Sequence, residues 1–486
     1  GEDMMNKCKR TYFEKWKFKH PQPEDLRAVF EEVSGKNLSW FFDDMIKTTK
    51  HLDYSISSIK KETKDLLITL KNKGDINGPV IISGVKDGKS MTPLWIEGFE
   101  GEKTVRYFNG DYDHIRIDHN GYMPEINRNN NIMRTKGIFK ATESIKPQII
   151  GSLYHPEKTQ IFFHPIMNYN IYNKHSYGLK IYNQFLPKGG FAYKVIPLYS
   201  NGTKDFTGEI KLSYKKFSQT AKYHSLTLSV DARQYLYDYN KEYTRIMPQL
   251  NIEFKKPSLR SKIYKYLNAS YVHLVKEEET LGFINAQFGY ANNRTINPFS
   301  AYSSIEKGYN YSKIQLGGFF RKMINQKKQL NIRGYIGYVN TEDNIYNLKM
   351  SAWNGSDDYM FTERVFSRDN SSNHNLPYKQ QYFSREGGLK HFTNDSLNSS
   401  QFLASTYIDY NLLKTMSLYA ELGTNGSKIA YGGGFTLNAI ANGPGFNGGL
   451  QLYFPLITEE GAVNFDNYSN VLRFNLYFNL GGLKFD

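Results

Sequence analysis

From about residue 151 to the C-terminus the chain alternates apolar and polar residues with a period of two. Leu226, Leu228, Val230 and Ala232 fall on one side while Ser225, Thr227, Ser229, Asp231 and Arg233 fall on the other, as in a strand whose successive side chains point to opposite faces of the pleat. Leu330, Ile332, Ile336 and Tyr338 oppose Asn331 and Arg333 in the same way. Met416, Leu418, Ala420 and Leu422 oppose Ser417, Tyr419 and Glu421, and Asn425-Gly426 then supplies a tight hairpin turn into 429–437. The last segment repeats the pattern: Leu472, Phe474, Leu476, Phe478 and Leu480 alternate with Arg473, Asn475, Tyr477 and Asn479, and Phe485 stands one residue from the end. About 12–16 such segments are expected in 151–486, a density that suits one closed antiparallel barrel with lipid outside and a polar lumen. A stack of β-sandwiches or a propeller would alternate too. Against these stand the length of the segments, the Asn, Arg and Glu of the polar face, and the lack of a repeat of fixed length. Closure also removes the unpaired edges that lipid does not tolerate.

The first part of the chain follows another rhythm. Met5, Cys8, Tyr12 and Trp16 share a helical face, Pro23 opens a second helix with Leu26, Val29, Phe30 and Val33, and Ser34-Gly35 closes it. Leu38, Phe41, Phe42, Met45 and Ile46 give the stripe of a third helix, so residues 1–52 read as helical. Residues 53–120 hold short β-type runs, such as Leu66–Leu70 and Val80–Ile82, between turn signals at Asn77-Gly78, Asp87-Gly88 and Asn109-Gly110. That spacing predicts a small β-sandwich. Residues 121–150, with Asn127-Arg128-Asn129-Asn130-Asn131, read as a polar linker to a barrel over 151–486. The expected class is therefore mainly β: a short helical segment, a small sandwich and a transmembrane barrel.

Composition sharpens this picture. Aromatic residues reach 15% while the mean hydropathy is −0.58. No stretch approaches the ~18 apolar residues of a membrane-spanning helix, whereas a barrel strand leaves half its residues polar. The single cysteine, Cys8, excludes an internal disulfide framework. A net charge of +15 raises the question of nucleic acid. The cations, however, come in twos (Lys215-Lys216, Lys255-Lys256, Arg321-Lys322, Lys327-Lys328) with no basic stripe or recognised motif. No nucleic-acid partner is expected. Several pairs fall at strand ends, where long cations form a solvated rim or reach lipid headgroups.

The run Tyr12-Phe13-Glu14-Lys15-Trp16-Lys17-Phe18-Lys19-His20-Pro21, followed by Pro23-Glu24-Asp25-Leu26 and by Phe30-Glu31-Glu32-Val33-Ser34-Gly35-Lys36-Asn37-Leu38-Ser39-Trp40-Phe41-Phe42, resembles the end of the peptidase domain of aminopeptidase N-like zinc metallopeptidases. The resemblance covers residues 1–55 and implies a β-sandwich next, with zinc and the catalytic groups upstream of Gly1. No His-Glu-x-x-His occurs in these 486 residues, so no catalytic or metal-binding residue is assigned and no cofactor is expected in this chain. Trp40, Phe41 and Phe42 are taken as the packing motif of that resemblance. The terminal strand Leu472, Phe474, Leu476, Phe478, Leu480 and Phe485 looks like the recognition segment of outer-membrane barrels, with Asp486 added.

The remaining chemistry is sparse. Asp113, His114, Asp118 and His119 place their two imidazoles on opposite strand faces and read as surface and turn residues. Asp357-Asp358 and Glu277-Glu278-Glu279 read as solvated loop tips, and Gly432-Gly433-Gly434 as small residues easing close packing in a strand. The stretch from Trp353 to Ser399, rich in Tyr and Arg, is either a partner surface or a loop folded into the lumen.

The leading expectation is the C-terminal part of an outer-membrane-anchored zinc aminopeptidase. Its zinc lies in an upstream domain, its substrate is a peptide, and its N-terminal portion faces the periplasm. The alternative is a non-enzymatic outer-membrane barrel, either a pore or a component of a secretion or assembly complex. A third reading is an adhesin using 353–399. Outer-membrane lipid and the barrel-assembly machinery are expected partners in all three.

Overall fold

The computed structural model describes residues 1–137, 140, 144–153, 155, 158–184, 190–218, 220–325, 328–368, 380–443 and 446–480. The chain divides into two compact units, Gly1–Pro147 with Tyr154–Gln160, and Gln148–Leu153 with Ile161–Asp486.

The first unit opens with helices Glu2–Trp16 and Pro23–Ser34. Pro23 sits at the first helical position, the backbone N–H of Gln22 donates to the Asp25 carboxylate at 2.8 Å, and Gly35 ends the helix at φ 64° with its N–H on Glu31 O. The third helical stripe closes as a single π-helical stretch, Trp40–Ile46. Two antiparallel sheets follow. Tyr54–Lys61, Asp65–Asn72 and Glu102–Phe108 form one, and Lys89–Ile96, Val80–Lys86, His114–Ile117 and Ile132–Arg134 form the other. Tyr54, Ile68, Leu70, Ile82 and Ile115 fill the core, with Trp40 and Met45 packed against it.

The expected linker 121–150 departs from this arrangement. Ile132–Arg134 is a strand of the second sheet, Asn130 donates to Asp53 at 2.8 Å, and Asn131 donates to Glu125. A run of asparagines looks like linker because it is polar. Here its amides satisfy polar groups that the sandwich buries.

The second unit is a closed antiparallel barrel in which eighteen strands are joined in one sheet. Two of them, Ser144–Ile149 and Gly461–Ala462, are short; the other sixteen run from Lys158–Asn170 to Arg473–Leu480. This sheet carries more strands than the expected 12–16, because the two short segments pair into it. Most of the strands are 9–16 residues long, enough to cross a bilayer at a tilt. Neighbours alternate in direction, so Lys158–Asn170 starts at the barrel end where Arg473–Leu480 finishes, and the long connection 342–401 leaves from the opposite end. These are called below the terminal end and the loop end.

The sequence alternation maps onto the two sides of the wall. Leu228, Ile246, Ile284, Ile314, Leu316, Ile336 and Leu422 are 40–56% exposed. Their neighbours Arg245, Phe283, Lys313, Tyr335 and Glu421 are at most 4% exposed. In Gly432-Gly433-Gly434 the expected close packing is found: a Cβ on Gly434 would fall 2.0 Å from Phe454 O, and one on Gly432 would fall 2.7 Å from His391 Nδ1.

Candidate functional site: the occupied lumen

Residues 342–401 connect Gln329–Thr341 to Phe402–Asn411, and their described part folds into the barrel instead of standing above it. Ala352, Trp353, Met360, Tyr382, Leu389 and Leu397 of this loop are each at most 4% exposed, packed among inward residues of the wall such as Phe283, Tyr311, Tyr335, Leu403, Tyr419 and Tyr453. Of the two uses open for this stretch in the sequence, the lumenal one is realised.

Charged wall residues hold the loop at separate sectors. On the hairpin of Tyr223–Asp238 and Lys241–Phe254, Arg245 pairs with Asp231 and donates to Phe361 O at 3.0 Å. The Phe361 ring lies 4.5 Å from that of Tyr243, and the Arg368 guanidinium stacks over it at 4.0 Å. In Tyr311–Met323, Lys313 pairs with Glu386 at 2.6 Å with both groups buried, and the second Glu386 oxygen accepts the Lys349 N–H at 2.6 Å. Arg333 in Gln329–Thr341 donates to Gly387 O at 2.9 Å and to Glu386 O at 2.5 Å. Glu421 in Met416–Thr424 accepts from the Lys390 N–H and meets His391 Nδ1 at 2.7 Å, while Glu459 meets His391 Nε2 at 2.5 Å. Arg473 of the final strand donates to Ala352 O at 2.9 Å and stacks over Phe392 at 4.3 Å. Backbone pairing adds to this, with Tyr382 N–H on Phe474 O at 2.9 Å.

Asp357 and Asp358 correct an expectation. They are not solvated tips: Asp358 is 1% exposed and accepts the N–H groups of Thr362 and Glu363 and the Arg368 guanidinium. An acidic pair in a loop is solvated only if the loop is, and this one is surrounded by wall. The signal lay in the same stretch, where Arg368 matches Asp358 and Arg385 matches Glu363, while Arg364 reaches Glu209 of the wall. The wall anchors Arg245, Lys313 and Glu421 were visible only as charges at polar positions of alternating strands.

The other singled-out residues lie elsewhere. Trp40 packs over Gly78 on the sandwich core, Phe42 is 6% exposed and Phe41 is 37% exposed. Leu472 precedes the last strand, Phe474 pairs by its backbone with Tyr382, and Leu476 is 46% exposed. Phe478 and Leu480 belong to the strand through pairing with Gly448 and Phe446, and Phe485 falls outside the described residues. Asp113 pairs with Lys86 at 3.2 Å, and Asp118 holds the turn N–H groups of Tyr122 and Met123. No group of metal ligands occurs among the described residues.

A closed barrel with an apolar outer belt and a charged, occupied interior needs lipid around it. The chain is an outer-membrane β-barrel protein.

No protein-family model and no curated protein matches the sequence. Among solved structures, the chain is similar to BamA from Haemophilus ducreyi lacking POTRA domains 1-3, at 12% identity over 66% of this chain and 70% of that one, with a TM-score of 0.40. It is also similar to CdiB from Acinetobacter baumannii, at 10% identity over 82% of this chain and 65% of that one, with a TM-score of 0.32.

Nothing among these neighbours points to an aminopeptidase N-like enzyme, and the expected relationship to that family is withdrawn, with its metallopeptidase and hydrolase reading. The physical source of the error is plain. Helical stripes with a Pro opening, a Gly close and an aromatic triplet are what any short helices docking on a sheet require, and Trp40 and Phe42 serve packing within the first unit.

Proposed function

We propose that this protein is a non-enzymatic outer-membrane barrel of a secretion or assembly system, whose own loop closes the lumen and is displaced when the barrel works. The observation that carries the reading is the set of buried charged contacts through which the wall holds the loop: the pairs Lys313–Glu386 and His391–Glu421, and the Arg245 guanidinium, itself paired with Asp231 of the wall, on Phe361 O. Buried ion pairs add little net stability over apolar packing of the same volume, yet they fix one arrangement strongly. That suits a stopper that must seat in one way and still come out. A barrel serving only as an anchor gains nothing from such a device. The N-terminal unit is proposed to face the periplasm, on the side where the final strand of an outer-membrane barrel ends.

Planar-bilayer recording of the purified chain tests the closure. The wild type is expected to be silent or nearly so. A variant with 347–397 replaced by a short Gly/Ser linker, and a folded point variant Lys313→Met, are expected to show large and flickering conductance respectively. Silence in both would overturn the reading.

A further inference from the structure

The lumen accounts for the buried charges, but not for the basic pairs at the strand ends. Strand direction gathers these at one rim. The terminal-end connections and adjoining strand ends, 214–224, 253–265, 292–299, 320–329 and 408–416, contain Lys215-Lys216, Lys255-Lys256 and Arg321-Lys322. Their only carboxylates are Glu253 and Asp409. Both are turned to the lumen: Glu253 bonds Ser225 and Tyr264 and pairs with Lys215, and Asp409 accepts from Asn331. The loop end instead carries Glu277-Glu278-Glu279, Glu342-Asp343 and Glu459-Glu460.

The pleat then sorts the cations. Lys215 and Arg321 point inward, while Lys216 follows the outward Leu212 and Tyr214, and Lys322 follows the outward Ile314 and Leu316. Three more outward cations lie over outward aromatic rings: Lys265 over Tyr290 at 5.8 Å, Arg294 over Phe299 at 5.5 Å and Lys328 over Tyr410 at 5.9 Å. Stems along the apolar belt, aromatic rings at its margin and ammonium or guanidinium groups just beyond it make the arrangement of side chains that reach a phosphate layer from hydrocarbon. A face for an acidic protein would project from the connections; Lys216, Lys265 and Lys322 lie on the lipid side of the wall strands, and Arg294 and Lys328, on the connections, lie over the outward rings of Phe299 and Tyr410.

We propose that the outward cations of the terminal-end rim form a binding surface for the phosphate headgroups of anionic glycerophospholipids in the leaflet at that end. The surface is independent of the loop-closed lumen. Its partner is the lipid phosphate itself, held by a ring of separate contacts.

Native mass spectrometry of the delipidated full chain, titrated with phosphatidylglycerol or phosphatidylcholine, tests it. The wild type is expected to retain phosphatidylglycerol preferentially, with the preference falling as salt rises. The variant Lys216→Gln/Lys265→Gln/Arg294→Gln/Lys322→Gln is expected to lose that preference, by roughly fivefold per cation removed. Conversion of the three lysines to Arg should keep it. Removing loop-end cations with Lys174→Gln/Lys204→Gln/Lys241→Gln/Lys307→Gln should leave it unchanged. Equal retention of both lipids by the wild type, as a surface for an acidic protein would give, overturns the proposal. So does an unchanged preference in the rim variant whose heat-modifiable band on cold SDS gels shows it folded.

Discussion

Glu125 shows at the residue scale how a polar run becomes structural. Burial pushes its carboxyl up to about 7 from an ordinary 4.5; hydrogen bonds from Asn131 and the Tyr54 N–H pull the other way, and Asp118 and Asp53 add repulsion. The folded state therefore keeps a proton that the unfolded chain loses between those values. Stability of the first unit falls as pH rises through that window and levels off above it. With the partly exposed side chain discounted, the loss amounts to about 1–2 kcal/mol. Glu125→Gln should abolish this dependence, because Tyr54 still finds an oxygen and Asn131, whose Oδ1 has no partner among the described residues, can turn its amide to accept. Hydrogen-exchange protection of residues 54–72, corrected for intrinsic rates, is expected to drop between pH 5 and 8 in the wild type and to stay level in the variant. In the lumen, Lys313→Met leaves Glu386 buried without its cation, a local cost of about 3–5 kcal/mol. The double change Lys313→Met/Glu386→Gln should restore most of the loop's resistance to protease. If the single and double variants are cleaved equally fast, the pair does not hold the loop.

At the scale of elements, two of the glycines of Ile429–Gly443, Gly434 and Gly432, separate wall from loop. Gly434 faces backbone, with Phe454 O 2.0 Å from a would-be Cβ, and backbone cannot move aside. Gly434→Ala is expected to break the pairing with Phe446–Thr458 and to abolish the heat-modifiable folded band. Gly432 faces the His391 ring at 2.7 Å, a side chain that can swing away. Gly432→Ala should leave the barrel folded and free the loop near His391, visible as new protease cuts around residues 385–395. The alternating strands were legible because one period served two solvents. The loop was not, since its Tyr, Arg and Asp would look the same in water or inside the lumen, and only the ring of wall residues around them settles which.

The whole molecule depends on its seam. Arg473–Leu480 pairs with Phe446–Thr458 from Tyr453↔Arg473 to Phe446↔Leu480, and it closes the sheet toward Ser144–Ile149. Removing residues 473–486 leaves an unpaired edge in hydrocarbon, where each lost backbone hydrogen bond goes unreplaced. That truncation is expected to yield no folded band on cold SDS gels and no membrane-extractable barrel.

What the sequence determined by itself was the material of each part: helices from a 3.6-residue stripe with its Pro and Gly stops, a sandwich from short runs between turn signals, and a barrel from period-two alternation. These follow from local geometry, which a chain carries wherever it goes. Tertiary structure alone decided which strands pair at the seam, the seating of the described part of 342–401 inside the wall, the pairing of Asp358 with Arg368, and the gathering of scattered lysines into one rim. Each of these turns on which residues become neighbours across the ring, and strand direction and register set that without leaving a mark in the spacing of residues along the chain.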